Sequence, residues 1–187
     1  MHFTLSDLIA DITQNGVESG AELVELSIEE IYSQKKDEIH FMVRDNGKGM
    51  DEETLRRATD PFTTDGVKHP RRKVGLGLPF LIQTAEQSGG GWNIESAPGK
   101  GATVTAWFDL RNIDTPPFED APGLFRTALM FDGPREMLLR RVRKGANNLP
   151  DLDYEVRKTE ILDALGSLDD AESLILLRDY LQSLEEE

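Results

Sequence analysis

The amino-acid sequence predicts an α/β protein: an α+β two-layer sandwich over residues 1–112, a linker over 113–123 and a small α/β unit over 124–187. Three observations predict this class. Apolar residues recur at helical spacing in some stretches and alternate with polar residues in others. Glycine-rich turns separate these stretches in the first part of the chain. Three prolines between positions 114 and 123 then mark a break before a second group of elements.

The first helix has a recognisable start and end. Thr4 is expected to cap it, with Asp7 in the reciprocal position of a capping box. Ser19 and Gly20 are expected to stop it. Between these signals, apolar residues recur at helical spacing: Leu5, Leu8, Ile9 and Ile12.

Two half-buried strands follow this helix. Residues 24–28 and 39–43 alternate between apolar and polar side chains, which is typical of strands with one buried face. The polar stretch 33–37 between them predicts a hairpin-like connection. The second strand runs into residues 45–49, with the sequence DNGKG, which predict a turn.

The rest of the sandwich alternates between helix and strand. Residues 52–58 predict a short helix, residues 60–73 a loop and residues 78–87 a further helix that three consecutive glycines close. Residues 92–96 and 103–110 predict two more strands joined by a turn.

The small C-terminal unit is expected to mix strands and helices in the same way. Residues 127–131 predict a strand, residues 135–142 a helix and residues 153–157 another strand. One or two helices are expected within residues 160–184.

Composition and charge limit the functions that this chain can have. The formal net charge is −14, with one dense basic cluster at residues 68–73, which fits a small polyanion better than a nucleic-acid duplex. Because there is no cysteine, we expect neither a disulfide nor a thiolate metal site. No run of about 18 apolar residues and no signal-peptide pattern occur, so we expect a cytoplasmic protein without a membrane partner.

Three short motifs could carry chemistry, although each is common in isolation. Asp11 and Asn15 lie four residues apart on the first helix and therefore share a face. An aspartate begins the glycine turn at residues 45–49. Residues 74–78, with the sequence VGLGL, open a helix with two glycines, and such a start can admit phosphate oxygens.

The order and spacing of these motifs resemble the ATP site of a known superfamily. Residues 11–21, 44–50, 60–64 and 74–78 are similar, in that order, to the four ATP-site boxes of the GHKL superfamily, the histidine-kinase-like ATPases of the Bergerat fold. The resemblance spans about residues 5–110. Its first half is more similar to the DNA mismatch-repair branch, and its second half to the sensor histidine kinases.

The resemblance implies ATP and Mg²⁺ as cofactors and gives three residues a role. Asn15 would coordinate Mg²⁺ through its amide oxygen, which is a hard ligand. Asp11 stands where hydrolysing relatives keep a glutamate that orients the attacking water, and would be the catalytic residue. Asp45 would accept a hydrogen bond from the adenine amino group, which favours adenine over guanine.

Further nucleotide contacts follow from the same resemblance. The glycines would let the backbone approach the base or the phosphates, Met50 would pack on the base, and Phe62 would mark the start of a lid. The residues expected to contact nucleotide, besides Asn15 and Asp45, are Gly47, Gly49, Met50, Phe62, Lys73, Gly75, Leu76, Gly77, Leu78 and Thr103.

Three positions depart from the kinase pattern. Lys73 replaces a glycine and could add a positive charge near the phosphates. Ala102 replaces a threonine that often follows the last turn glycine. Glu18 lies in the region where kinases place a basic residue after the Mg²⁺ asparagine.

Three functions remain open at this stage. None of His2, His40 and His69 has the context of a phospho-acceptor, so an acceptor domain would belong to another protein. The chain could be a slow or partner-dependent ATPase or protein kinase acting in trans in signalling. It could instead be a non-catalytic, nucleotide-dependent switch, like anti-sigma relatives. A mismatch-repair-like ATPase is the third alternative, which the negative charge disfavours.

Overall fold

A computed structural model describes residues 3–60 and 77–186. The predicted contacts Phe62, Lys73, Gly75 and Leu76, together with the basic cluster at residues 68–73, lie outside the described residues. The described part forms six helices and six strands: α1 (Leu5–Glu18), β1 (Leu23–Tyr32), β2 (Asp37–Asp45), α2 (Glu52–Thr59), α3 (Gly77–Gln87), β3 (Gly91–Ser96), β4 (Ala102–Asp109), α4 (Ala121–Leu129), β5 (Glu136–Lys144), β6 (Leu152–Arg157), α5 (Lys158–Leu165) and α6 (Ala171–Ser183).

All six strands belong to one mixed sheet, in the order β3-β4-β2-β1-β5-β6. Neighbouring strands are antiparallel except β1 and β5, which are parallel. Asp45 ends β2 and lies opposite Val24 of β1 and Ala102 of β4. The α/β fold class predicted from the sequence is therefore confirmed.

Five of the six described helices, all except α2, pack against one face of this sheet. In β1, Val24, Leu26 and Ile28 are almost completely buried, whereas the residues between them are partly exposed. Each such buried side chain contributes about 1.5–3 kcal/mol through the apolar area it removes from water. Buried residues of α1, α3, α4, α5 and α6 join the same hydrophobic cluster. The molecule thus has two layers around one core.

The first helix begins and ends as its sequence predicts. The Thr4 hydroxyl accepts a hydrogen bond from the Asp7 backbone N–H at 3.1 Å, and the Asp7 carboxylate accepts one from the Thr4 backbone N–H at 3.1 Å. This capping box supplies two of the partners that the first turn of a helix lacks. Ser19 caps the other end, and Gly20 follows with φ 79°.

Two elements of the C-terminal segment differ from their prediction. Residues 127–131 are not a strand, because most of them finish α4 or follow it directly. The N-cap Asp120 accepts a hydrogen bond from the Gly123 N–H, and a proline suits the first turn of a helix, so residues that resemble a linker start this helix instead.

Residues 135–142 are not a helix, because β5 occupies Glu136–Lys144. The leucines and arginines of this stretch are good helix formers. Pairing with β1 on one side and β6 on the other outweighs that preference. Arg141 and Arg143 face the core, which hides the alternation that would have indicated a strand.

The C-terminal segment continues the sheet of the first segment. β5 pairs along β1, and α4 and α6 contribute to the common core. The division at residues 113–123 stays a prediction about independent folding, since one sheet and one core join the two segments.

A group of buried charges holds the end of the described chain against the sheet. The Arg141 side chain, 2% exposed, donates to the carboxylates of Glu30 and Glu185. Arg143 donates to Glu185 at 2.9 Å, and the Tyr154 hydroxyl donates to it at 2.7 Å. We call these five residues the C-terminal ion-pair cluster.

Across residues 3–60 and 77–186, no helix has both the length and the apolar character needed to cross a membrane.

Candidate functional site

A cavity of about 240 Å³ opens between α1, the turn after β2 and the starts of α3 and β4. Most of its lining is apolar, and one buried carboxylate, that of Asp45, stands among the apolar groups. Such a combination of apolar walls and a few directed polar groups is typical of small-molecule sites. The lining residues are Ile12, Asn15, Gly16, Glu18, Ser19, Val43, Asp45, Lys48, Gly49, Met50, Ala58, Leu78, Ala102 and Val104.

Asp45 is the most constrained polar group of the cavity. It is 8% exposed, and its Oδ1 atom accepts hydrogen bonds from the Gly47 N–H at 2.8 Å and the Ser19 hydroxyl at 2.9 Å. Oδ2 accepts none from the residues that the structure describes. Because this oxygen is not fully buried, it is open to a donor group on a ligand.

The turn after β2 approaches its neighbours too closely for side chains. Gly49 has φ +64°, and a Cβ atom there would lie 1.9 Å from the Ala97 carbonyl oxygen. A Cβ atom on Gly47 would lie 1.8 Å from the Ser19 Oγ atom. These glycines therefore let the backbone run directly along the cavity wall.

Asn15 and the start of α3 face each other at another wall of the cavity. A Cβ atom on Gly77 would lie 3.4 Å from the Asn15 Nδ2 atom, so the first residue of α3 sits against the amide. Leu78, the next residue, lines the cavity. Glu18 also lines it and accepts a hydrogen bond from Gln14 at 3.0 Å. The structure thus brings an amide, a carboxylate and a helix start together.

Among the described residues, four predicted site residues do not line the cavity: Asp11, Gly47, Gly77 and Thr103. Asp11 is exposed on α1, one turn before Asn15. Thr103 lies between Ala102 and Val104, which both line the cavity, so its side chain points to the opposite face of the sheet. The roles of Asp11 and Thr103 remain predictions that this geometry does not support.

Reasoning from motifs missed several lining residues. Ser19 was expected only to end α1, yet it contacts the carboxylate of Asp45. The helical spacing of Ile12, Asn15, Gly16 and Ser19 could have indicated one common face. Val43, two residues before Asp45 on β2, could have been inferred from strand alternation.

Asn15 offers one hard oxygen donor, which would suit a magnesium ion that phosphates and water also hold. Among the described residues, no three His, Cys, Asp or Glu side chains are grouped so that they could hold a metal. Asn15 alone would leave most of the coordination sphere to phosphate oxygens and water, as Mg²⁺ prefers.

Comparison with known proteins identifies the family. The model of the family described as histidine kinase-, DNA gyrase B- and HSP90-like ATPase matches residues 3–112. The chain is 31% identical over 120 residues to the signal transduction histidine-protein kinase AfsQ2 of Streptomyces coelicolor, a match that covers 64% of this chain and 21% of that protein. It is 37% identical over 75 residues to the sensor histidine kinase ZraS of Klebsiella oxytoca, covering 38% of this chain and 15% of that protein.

The matches therefore span only 21% and 15% of the length of these two curated relatives. The family match includes α1, the glycine turn after β2 and every described residue that lines the cavity. On this match, which covers more than half of its residues, the chain belongs to the family of histidine kinase-, DNA gyrase B- and HSP90-like ATPases.

Proposed function

We propose that this chain binds ATP with Mg²⁺ in the cavity beside Asp45. The observation that carries the proposal is the carboxylate of Asp45, which is buried, held through Oδ1 and left with Oδ2 to accept from a ligand. The 6-amino group of adenine is a donor of suitable kind. Guanine presents a carbonyl oxygen at that position, so the carboxylate would repel it.

Most of the remaining lining supports the same ligand, and Glu18 opposes it. Apolar groups such as Val43, Met50 and Val104 provide surface for a base, and the close backbone at Gly49 leaves room for it. Asn15 lies beside the start of α3, where backbone N–H groups favour anions, and its amide oxygen would ligate Mg²⁺. The negative charge of Glu18 faces the same cavity and would weaken the binding of phosphates.

The activity that we propose is slow or partner-dependent transfer of the terminal phosphate, to water or to a separate protein in a signalling pathway. The kinase relatives support the class of reaction by their names. The chain's own described histidine, His40, lies within β2 with Nε2 3.0 Å from a carboxylate oxygen of Glu38. A strand position of this kind is poorly suited to receive phosphate, so the acceptor would be another molecule.

A nucleotide-dependent switch without turnover is the second candidate. It is favoured by the place of Asp11, which is exposed and not part of the cavity lining. A general base must reach its water directly or through one further water. If Asp11 does not, nucleotide binding would change the contacts with a partner without hydrolysis.

The binding proposal is tested by nucleotide selectivity. Isothermal titration with Mg²⁺ is expected to give ATP and ADP affinities about 10- to 100-fold higher than that of GTP, the scale of one hydrogen bond to a charged group. Asp45→Asn should abolish most of the ATP affinity, because an amide no longer offers a charged acceptor. Asp153→Asn changes an exposed strand aspartate outside the cavity and should leave the affinity unchanged. Equal affinities for ATP and GTP would contradict the proposal.

A further inference from the structure

We infer that Ser19 is a positioning residue that aims the carboxylate of Asp45 at the adenine amino group. The inference rests on the proposed function and deepens it, since it names the residue on which base selectivity depends. Ser19 caps α1 and lines the cavity, whereas Asp45 comes from the end of β2. The contact between them therefore joins the helix layer to the sheet at the proposed base site.

The hydroxyl of Ser19 lies between two oxygens. It is 2.6 Å from the Gly16 carbonyl oxygen and 2.9 Å from Asp45 Oδ1. A hydroxyl has only one proton to donate, and a charged carboxylate is the stronger acceptor of the two. Ser19 thus stabilises Asp45 in one orientation while it stays attached to its own helix.

A second donor makes this orientation specific. The Gly47 N–H also reaches Oδ1, at 2.8 Å, from the turn on the other side of Asp45. A Cβ atom added to Gly47 would lie 1.8 Å from the Ser19 Oγ atom, so the backbone of Gly47 packs directly against the hydroxyl. Two donors on Oδ1 fix the plane of the carboxylate and leave Oδ2 for the ligand.

Removal of the hydroxyl should affect one kind of ligand only. The terminal torsion of an aspartate side chain has a broad preference, so it turns easily when one of two fixed partners is lost. A ligand that donates to Oδ2 would then bind less tightly. A ligand without that donor gains no affinity from the fixed orientation of the carboxylate, so its affinity should not change.

The experiment compares ATP with purine riboside 5′-triphosphate, which lacks the 6-amino group, on the full chain by titration calorimetry. Ser19→Ala should weaken ATP binding about tenfold, which corresponds to one hydrogen bond, and change analogue binding less than about twofold. Each ligand is titrated separately into the same protein preparation. The ratio of the two affinities therefore does not depend on how much of the protein is folded.

Ser183→Ala is the matched control. Its hydroxyl also donates to a carbonyl three residues earlier at the end of a helix, that of Tyr180 at 2.7 Å, but it has no contact with the cavity. This variant should leave both affinities unchanged.

The outcomes separate this inference from the proposed function. Equal losses for the two nucleotides would assign Ser19 a merely structural role, and no loss for either would overturn the inference as well. If Asp45→Asn itself leaves ATP binding intact, the proposed function fails. If Asp45→Asn abolishes selectivity for ATP and Ser19→Ala does not reduce it, only the role of Ser19 fails.

Discussion

Two glycines near the cavity share a left-handed backbone but have different surroundings. Gly49 has φ +64°, and an added Cβ atom would collide with the carbonyl of Ala97. Gly99 has φ +72°, and no other group lies within 4 Å of its added Cβ atom. Alanine substitutions at these two glycines can therefore separate two losses of stability. One comes from the left-handed backbone conformation, and the other from the collision of the added Cβ atom.

We expect Gly99→Ala to lower the free energy of unfolding by about 1 kcal/mol, the cost of a left-handed alanine. Gly49→Ala should lower it by about 3 kcal/mol or more, because the backbone of Ala97 must also move. Urea denaturation of the two variants and the parent measures the difference. Equal effects would mean that the turn relaxes without cost.

Sequence motifs identified the individual site residues that a family pattern marks. Asn15, Asp45, Gly49, Met50 and Leu78 all line one cavity. Their roles toward nucleotide remain predictions. Ser19 could not be identified in this way, because its contact with Asp45 exists only after α1 and β2 have packed together.

At the scale of one element, α1 shows how a helix face decides which residues reach a ligand. The cavity-lining residues of α1 begin at Ile12 and recur at three or four residues along one side. Asp11 lies one turn before Asn15, is exposed and does not line the cavity. Whether Asp11 can orient the attacking water from this position is therefore the point on which the proposed enzyme and the proposed switch differ.

If Asp11 orients the attacking water, Asp11→Asn should keep ATP affinity and lower turnover about 100-fold or more, the usual scale of a lost general base. If the chain is a switch, basal turnover is already near background and the substitution changes little. Phosphate release under single-turnover conditions measures both cases. Asp163→Asn, an exposed aspartate on α5, is the control and should have no effect.

Helices and strands with clear local sequence signals could be predicted. Those that depend on contacts with distant parts of the chain could not. The capping box and apolar spacing of α1 are local signals, and they are confirmed. The strand β5 depends on pairing with β1 and on buried arginines whose partners lie far away in the sequence. A local reading of helix propensity therefore assigned it wrongly.

The C-terminal ion-pair cluster joins β1, β5, β6 and the residue two positions after the end of α6. Glu185 follows α6, Arg141 and Arg143 belong to β5, and Glu30 belongs to β1. Burial, together with the hydrogen bond to Glu185, raises the pKa of Tyr154, so this hydroxyl stays protonated as a donor.

Glu185→Gln should lower the free energy of unfolding by about 2–3 kcal/mol, because two buried arginines lose part of their neutralising charge. Glu186→Gln changes the next residue, which is exposed, and should have an effect below about 0.5 kcal/mol. Thermal and urea denaturation measure both. Indistinguishable stabilities of the two variants would show that Glu185 adds no net stability.

The parallel pairing of β1 with β5 also has a consequence for synthesis on the ribosome. β1 and β2 can form a hairpin early, but the other side of β1 has no partner until residues 136–144 emerge. At about 5–20 residues per second, that interval is on the order of 5–20 s. During it, a ten-residue strand presents unpaired backbone groups to any other extended segment nearby. The nascent chain should therefore depend most on holding chaperones in this window, and slow codons between β2 and β5 should increase aggregation.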